Sequence, residues 1–307
     1  MASLHGLLKP KLKYLAYVGM ETDLIFNKGV ELPGGFASFP LTETQEGRDL
    51  LGSYADWQVD LAVETGCGLL LETATWLANR DRAMSMGYDA EYIRKANAAS
   101  VALCDAARRG KDAPHILISA NIGPRDDAYA PAEQMGVNEA AAYHEEQIKT
   151  VAEAGADVVS GYTVAYAAEA VGMALAAGAV GIPSVVSFTV ETDGRLPDGM
   201  PLSDAVAMVD DSTDATPEYY MVNCAHPDHF SQALGQGTLP ARLRGLVVNA
   251  SRCSHAELDE AEELDDGNPQ ELGQQLGALS REHPTLQVFG GCCGTDRRHM
   301  AEIAAAI

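Results

Sequence analysis

Three cysteines, Cys224 and the adjacent pair Cys292-Cys293, hold the greatest chemical potential in this sequence. Adjacent cysteines rarely join each other in a disulfide, because the small ring strains the peptide between them. The pair sits in Gly290-Gly291-Cys292-Cys293-Gly294, and glycines on both sides let the backbone bend until both sulfurs point the same way. Three thiolates with a fourth position left open describe a catalytic zinc site, whereas a fourth protein ligand would close it into a structural one. Soft thiolates select Zn²⁺, which has no redox chemistry of its own. A buried cysteine cluster or a redox pair are the alternatives, since no Cys-x-x-Cys spacing is present. The other three thiols read as small buried hydrophobes or bystanders. Cys67 follows Glu64-Thr65-Gly66 at a helix-to-strand junction, Cys104 lies on an apolar helical stripe, and Cys253 falls just after a strand.

Positioning those cysteines requires a regular scaffold, and the chain supplies one. Short apolar, β-branched runs at Leu15–Gly19, Gly68–Ala74, His115–Gly123, Val158–Thr163, Ser184–Val190, Tyr219–Cys224, Gly245–Ser251 and Leu286–Cys292 read as parallel strands covered on both faces. Helical patterns alternate with them at Thr44–Thr65, Ala90–Arg109, Val137–Ala154, Ala167–Gly178, Leu202–Asp210, Pro227–Leu234, Pro269–Glu282 and Arg297–Ile307. Glycines after Glu64-Thr65 and Glu153-Ala154, and again from Gly178 to Pro183, punctuate helix ends. Eight such units in 307 residues predict one (β/α)₈ barrel (TIM barrel) spanning residues 1–307. A doubly wound open sheet is the alternative, disfavoured because no Gly-x-Gly-x-x-Gly turn follows the first strand. In a barrel the chemistry sits at the C-terminal ends of the strands. Cys224 ends the sixth strand and Cys292-Cys293 the eighth, so all three thiols are expected at one end.

Whole-chain properties narrow the partners. Acidic residues outnumber basic ones 44 to 21, a formal net charge of −23 that repels nucleic acid and anionic membrane. A salt-adapted host or an ordinary acidic surface both account for that balance. No apolar run approaches the roughly 20 residues of a membrane helix, and Met1–Tyr17 lacks the ordered features of a signal peptide. A cytoplasmic protein is expected. Its partners are then small molecules.

Several segments resemble the homocysteine S-methyltransferase family. Val222-Asn223-Cys224-Ala225-His226-Pro227 is similar to its sixth-strand motif, and Gly290-Gly291-Cys292-Cys293-Gly294-Thr295 to its C-terminal one. Ser187-Phe188-Thr189-Val190 with Gly194-Arg195-Leu196 and Gly199 resembles its fifth-strand segment; Thr73-Ala74-Thr75-Trp76 and Asn79 resemble its second-strand end. The resemblance covers nearly the whole chain. It implies that Cys224, Cys292 and Cys293 bind Zn²⁺, that a substrate thiolate becomes the fourth ligand, and that a cationic sulfonium or ammonium compound donates a methyl group. Homocysteine as acceptor would give methionine. Trp76, Tyr162 and Phe188 are candidates to face the cation, with plain barrel packing as the alternative for each ring. Asn223, beside Cys224, is a further candidate binding residue.

Two departures stand out. The family carries an acid at the end of its first strand and another at the end of its fourth, both gripping the amino group of homocysteine. In this chain those positions are expected at Tyr17 and Gly161. Glu21 and Glu72 are the nearby carboxylates able to replace them, with capping or solvated roles as the alternative. His226 and His229 read as helix-start residues, and Glu191 and Asp193 as loop residues. The chain's end at Ile307, soon after the zinc motif, leads us to expect no cobalamin domain. The expected activity is methyl transfer to homocysteine or a related thiol; a zinc-retaining thiol sensor without catalysis is the competing reading. Neither the donor nor the oligomeric state is legible.

Overall fold

Eight short, largely buried strands line up in sequence order and close on themselves. They are β1 (Tyr14–Leu15), β2 (Gly68–Glu72), β3 (Ile116–Ile122), β4 (Val158–Val164), β5 (Ser184–Thr189), β6 (Tyr219–Asn223), β7 (Leu243–Val248) and β8 (Val288–Gly291). All pairings are parallel, and β8 returns to β1 through Tyr14↔Val288 and Leu15↔Phe289. This is the expected (β/α)₈ barrel. Closure excludes the open sheet, because no strand edge is left over. The structure, a computed structural model, describes residues 6–229, 240–254, 257–258 and 263–307.

Strand periodicity sorts the core into two layers. Odd positions of β6, Tyr219 and Met221, pack inside the barrel with Leu70 and Val158. Even positions, Tyr220 and Val222, face outward and pack with Phe188 and Leu246 in the layer that the helices cover. Fully burying each of these large side chains contributes roughly 1.5–3 kcal/mol.

Covering helices occupy Gln45–Thr65, Ala90–Arg108, Val137–Glu153, Ala167–Val180, Leu202–Thr213, Pro269–Glu282 and Arg297–Ala306. Their ends are chemically marked. Thr44, Asp89 and Asn268 cap three N-termini by accepting from the backbone N–H three residues on. Gly66 closes the first of them in the left-handed conformation at φ 70°. The helix expected to stop at Gly178 runs on to Val180 and takes Gly181 as its C-cap. The helix predicted over Pro227–Leu234 lies largely outside the described residues.

The first strand is shorter than Leu15–Gly19. Its ladder to β2 ends at Leu15, and Met20 already opens a short helix, Met20–Thr22. Pairing toward β8 nevertheless continues, with the Gly291 N–H donating to the Tyr17 carbonyl at 2.8 Å. A second short helix, Arg80–Ser85, was not legible in the periodicity; Asn79 caps it and fastens it to Tyr143 of the helix Val137–Glu153. No helix among the described residues is long and apolar enough to cross a membrane.

Candidate functional site

The three cysteines meet at the C-terminal face of the barrel. Cys224 directly follows β6 and Cys292 directly follows β8, and the sulfurs of Cys224, Cys292 and Cys293 all lie within 4.8 Å of one another. Those of Cys224 and Cys292 are in contact as a disulfide pair, with Cα atoms 5.6 Å apart. Four tetrahedral ligands around zinc at 2.3 Å would place sulfurs about 3.8 Å apart. In the reduced state, therefore, the donor set fits a thiophilic metal in chemistry and in spacing. Cys67 and Cys104 are buried elsewhere, and burial pushes the Cys104 thiol up to about 12. Cys253 is exposed and outside the cluster.

Local structure explains the convergence. Cys224 is held in the left-handed region at φ 55°, unusual for a side chain bearing Cβ and costing about 1–3 kcal/mol. Its N–H donates to the Val247 carbonyl, which anchors the turn to β7. Asn223, 1% exposed, holds the other side. Its Oδ1 accepts from Ser187 Oγ at 2.7 Å and from the Thr163 N–H at 3.0 Å. Its Nδ2 donates to Thr163 Oγ1 at 2.9 Å and to Cys224 Sγ at 3.2 Å. One side chain thus ties β4, β5 and β6 together and directs a donor at a candidate ligand sulfur. At the other ligand strand, a Cβ on Gly291 would lie 2.2 Å from Thr295 Oγ1, so only glycine lets the chain turn there. Thr295 Oγ1 then donates to the Cys292 carbonyl at 2.7 Å.

Above the sulfurs opens a cavity of about 240 Å³ lined by Tyr17, Glu21, Trp76, Asn121, Tyr162 and Asn223 among others. Further out, Phe26, Phe36 and Tyr129 add rings, and Asp127, Glu263 and Asp265 add carboxylates. Arg82 is the one basic side chain among the described residues that line it. The field inside is acidic and aromatic.

Each candidate from the sequence can now be placed. Trp76 and Tyr162 face the cavity, and the Trp76 Nε1 lies 3.4 Å from the Tyr162 carbonyl. Phe188 does not. It is fully buried in the outer layer and stacks on Tyr220, because on β5 the inward positions belong to Val185, Ser187 and Thr189. Glu21 lines the cavity, its Oε1 accepting from Ser38 at 2.8 Å and its Oε2 from the Tyr17 hydroxyl. Burial raises its pKa, and the bonds from Tyr17 and Ser38 oppose the rise. Glu72 lies deeper, inside the barrel. Its Oε1 accepts from the Tyr162 hydroxyl at 3.0 Å, while its Oε2 is buried with no hydrogen-bond partner among the described residues. Burial lifts its pKa to about 8, against bonds from Ser119 and Tyr162.

The expectation at Gly161 needs correction. A Cβ on Gly161 would lie 2.6 Å from Met173 Sδ of the helix Ala167–Val180, so position 161 faces out of the barrel. The inward position next to Thr163 is Tyr162. An irregular register between Gly161 and Val164, with Thr163 at φ 60°, turns this strand end into the cavity. Tyr17 and Tyr162 therefore occupy corresponding sites, ring centroids 5.8 Å apart, and each donates its hydroxyl to a carboxylate from another position. Sequence reasoning missed this pairing and the role of Thr163. A tyrosine side chain long enough to cross a neighbouring strand leaves no local pattern.

The histidines behave as helix-start residues. His226 is 2% exposed and accepts from the Asp228 N–H at 3.2 Å; burial holds its pKa down to about 4. His229 bonds the Arg252 carbonyl at 2.8 Å.

Comparison with known proteins agrees with this architecture. The homocysteine methyltransferase MmuM from Escherichia coli in its oxidized form is similar over 97% of this chain and 96% of that one, with 21% identity and a TM-score of 0.73. Its metallated form gives 97% and 96% coverage, 20% identity and a TM-score of 0.70. At that identity the likeness establishes the fold. No curated protein sequence matches the chain. The family model for homocysteine S-methyltransferase matches residues 61–307, which include all three clustered cysteines. By that match, the chain is a methyltransferase of the homocysteine S-methyltransferase family.

Proposed function

We propose that this enzyme uses zinc to move a methyl group from a small sulfonium- or ammonium-type donor to homocysteine or a related thiol. The single observation that carries the reading is three cysteine sulfurs gathered beneath an acidic, aromatic cavity on the catalytic face of the barrel. Cys224, Cys292 and Cys293 would hold the metal. When bound, zinc supplies the Lewis acidity that makes a thiol, ordinarily of pKa ~8.5, available as thiolate at neutral pH.

The chain's own residues do the rest. Asn223 directs its amide at Cys224 and fixes that sulfur, so the ligand set is held before substrate arrives. Carboxylates at Glu21, Asp127, Glu263 and Asp265 attract a cationic donor, and Trp76 and Tyr162 offer ring faces to it. Walls of this kind exclude water and align donor and acceptor, the main contribution a protein makes to such a displacement. In the transfer, the new carbon–sulfur bond forms as the donor's bond to methyl breaks. The donor heteroatom departs with the electron pair as a neutral thioether or amine, and the acceptor's thiol proton passes to solvent.

Metal analysis combined with turnover tests this directly. Protein purified without chelator should carry about one zinc per chain and methylate homocysteine from a methylsulfonium donor. Full activity in chelator-treated, zinc-free protein would overturn the mechanism. The tyrosines at 17 and 162, where the family has acids, favour a second reading, a zinc-holding thiol sensor. Stoichiometric zinc with no turnover on any thiol would select it.

A further inference from the structure

Between β3 and the helix Val137–Glu153 the chain makes a long loop whose tip helps to build the cavity wall. Asp127, Ala128 and Tyr129 all line the cavity over the cysteines. Part of the loop's shape is local. Asp127 Oδ1 accepts from the Tyr129 and Ala130 N–H groups, each at 2.8 Å, and Asp126 Oδ2 accepts from the Ala132 N–H at 2.8 Å. Turns of this kind fix a loop's own curvature and leave open where it stands against the barrel.

Its placement comes from a carboxylate behind it. Glu169, in the first turn of the helix Ala167–Val180, is 1% exposed and does not itself line the cavity. Its Oε1 accepts from the Arg125 N–H at 2.9 Å and pairs with Nε2 of the fully buried His144 at 3.0 Å. Burial and the facing Glu169 carboxylate raise the pKa of Tyr166 to about 12. The Tyr166 oxygen accepts from the Met135 N–H at 3.0 Å, which leaves its proton for the carboxylate it faces. One side chain thus reaches both ends of the loop, Arg125 directly and Met135 through Tyr166. The two helices beneath are in close contact, since a Cβ on Gly172 would lie 2.4 Å from the Ala140 Cβ. The base of the arrangement is therefore rigid.

Taking a carboxylate out of water costs several kcal/mol unless its bonds offset the loss. An apolar side chain of similar volume would pack these helices as well or better. What distinguishes Glu169 is its bonds to the loop.

We propose that Glu169 is a positioning residue whose buried carboxylate clasps the loop 125–135 and sets Asp127 and Tyr129 where they meet the methyl donor. Naming the donor rests on the function proposed above; the clasp itself does not.

The test compares wild type with Glu169→Ala and Tyr166→Phe, as full-length protein purified without chelator. Backbone hydrogen exchange followed by mass spectrometry reads the clasp, and steady-state kinetics with a methylsulfonium donor and homocysteine read its effect. Exchange over residues 125–135 should quicken about tenfold or more in both variants while β6 and β8 keep their protection. Donor KM should rise about threefold to tenfold with kcat and zinc content kept within about twofold, the pattern of lost binding rather than lost chemistry. Tyr220→Phe is the control, because it takes a tyrosine hydroxyl from a carboxylate in the outer layer, Asp210 at 2.6 Å. It should change neither readout. Should Glu169→Ala fail to fold by circular dichroism, Tyr166→Phe decides. Unchanged exchange over 125–135, a quickening that Tyr220→Phe shares, or loss of kcat and zinc with KM unaltered would overturn the proposal. Loosened exchange in both variants of a protein that shows no turnover as wild type overturns methyl transfer and leaves the clasp standing; rapid turnover with exchange unchanged does the reverse.

Discussion

Cys224 bears two burdens at once, a left-handed backbone and a sulfur aimed at two others. Strain of this kind persists where surrounding bonds over-determine it, and the Asn223 network does so. Cys224→Ala and Cys292→Ala should each abolish turnover and zinc retention while circular dichroism shows the barrel intact, because barrel stability is set by packing below the catalytic face. Cys67→Ala, Cys104→Ala and Cys253→Ala should keep the metal. Glu72 gives a second prediction at this scale. Its carboxyl titrates near 4.5 when free and near 8 in the fold, where burial is the chief cause. The groups facing it, Tyr17, Tyr162 and Tyr219, have pKa values raised well above the usual tyrosine range by burial and stay neutral. An acid whose pKa rises on folding stabilises below its unfolded pKa, and that stability is lost as pH climbs through the folded one. Urea unfolding at about pH 5 and about pH 9 should show Glu72→Gln more stable than wild type only at the higher pH, by a few kcal/mol at most.

Elements set the distances that residues exploit. The turn after β1 packs directly on the end of β8: a Cβ on Gly19 would lie 2.3 Å from the Cys292 carbonyl oxygen. Gly19→Ala must push one of the two backbones away. We expect zinc affinity to fall at least about tenfold, as when supporting contacts of a metal site are lost, with the chain still folded. Equilibrium competition with a chelator measures it. On the other wall, the irregular end of β4 decides which residue enters the cavity. Gly161 approaches Met173 closely, so β4 packs tightly on its helix and Tyr162, not its neighbour, turns inward.

The molecule as a whole carries a formal net charge of −23, and the Lys and Arg ion pairs among its described residues are all partly exposed. Self-repulsion at that density destabilises a compact state, and salt screens it with a Debye length falling from about 30 Å at 0.01 M to about 3 Å at 1 M. Raising sodium chloride over that range should therefore raise the melting temperature. A flat or falling profile would mean that local ion pairs such as Arg252 with Asp228 and Glu271 outweigh the global field. The same acidity reaches the cavity mouth, so donor KM should rise with salt if the donor is cationic.

Much of this was legible in one dimension. Eight mostly apolar runs with helices between them specify a barrel because strand and helix periodicities are local, and because both faces of each parallel strand are covered. Glycine-flanked Cys292-Cys293 and the cysteine ending β6 pointed to one metal-binding end, since the strand-end rule converts order along the chain into position. Side-chain direction at the irregular ends was not legible. Phe188, a candidate for the cavity with barrel packing as its alternative, faces the helices; the fourth-strand position expected at Gly161 points outward, and Tyr162 holds the inward one. A one-residue slip reverses the face of a strand residue, and the kink that sets this register arises from packing between β4, β5 and Asn223. The Tyr162–Glu72 pair likewise belongs to the tertiary structure, whereas Tyr17 and Glu21 meet across only four positions. The first of these joins residues 90 positions apart, and the pairing of β3 with both β2 and β4 brings their oxygens within reach.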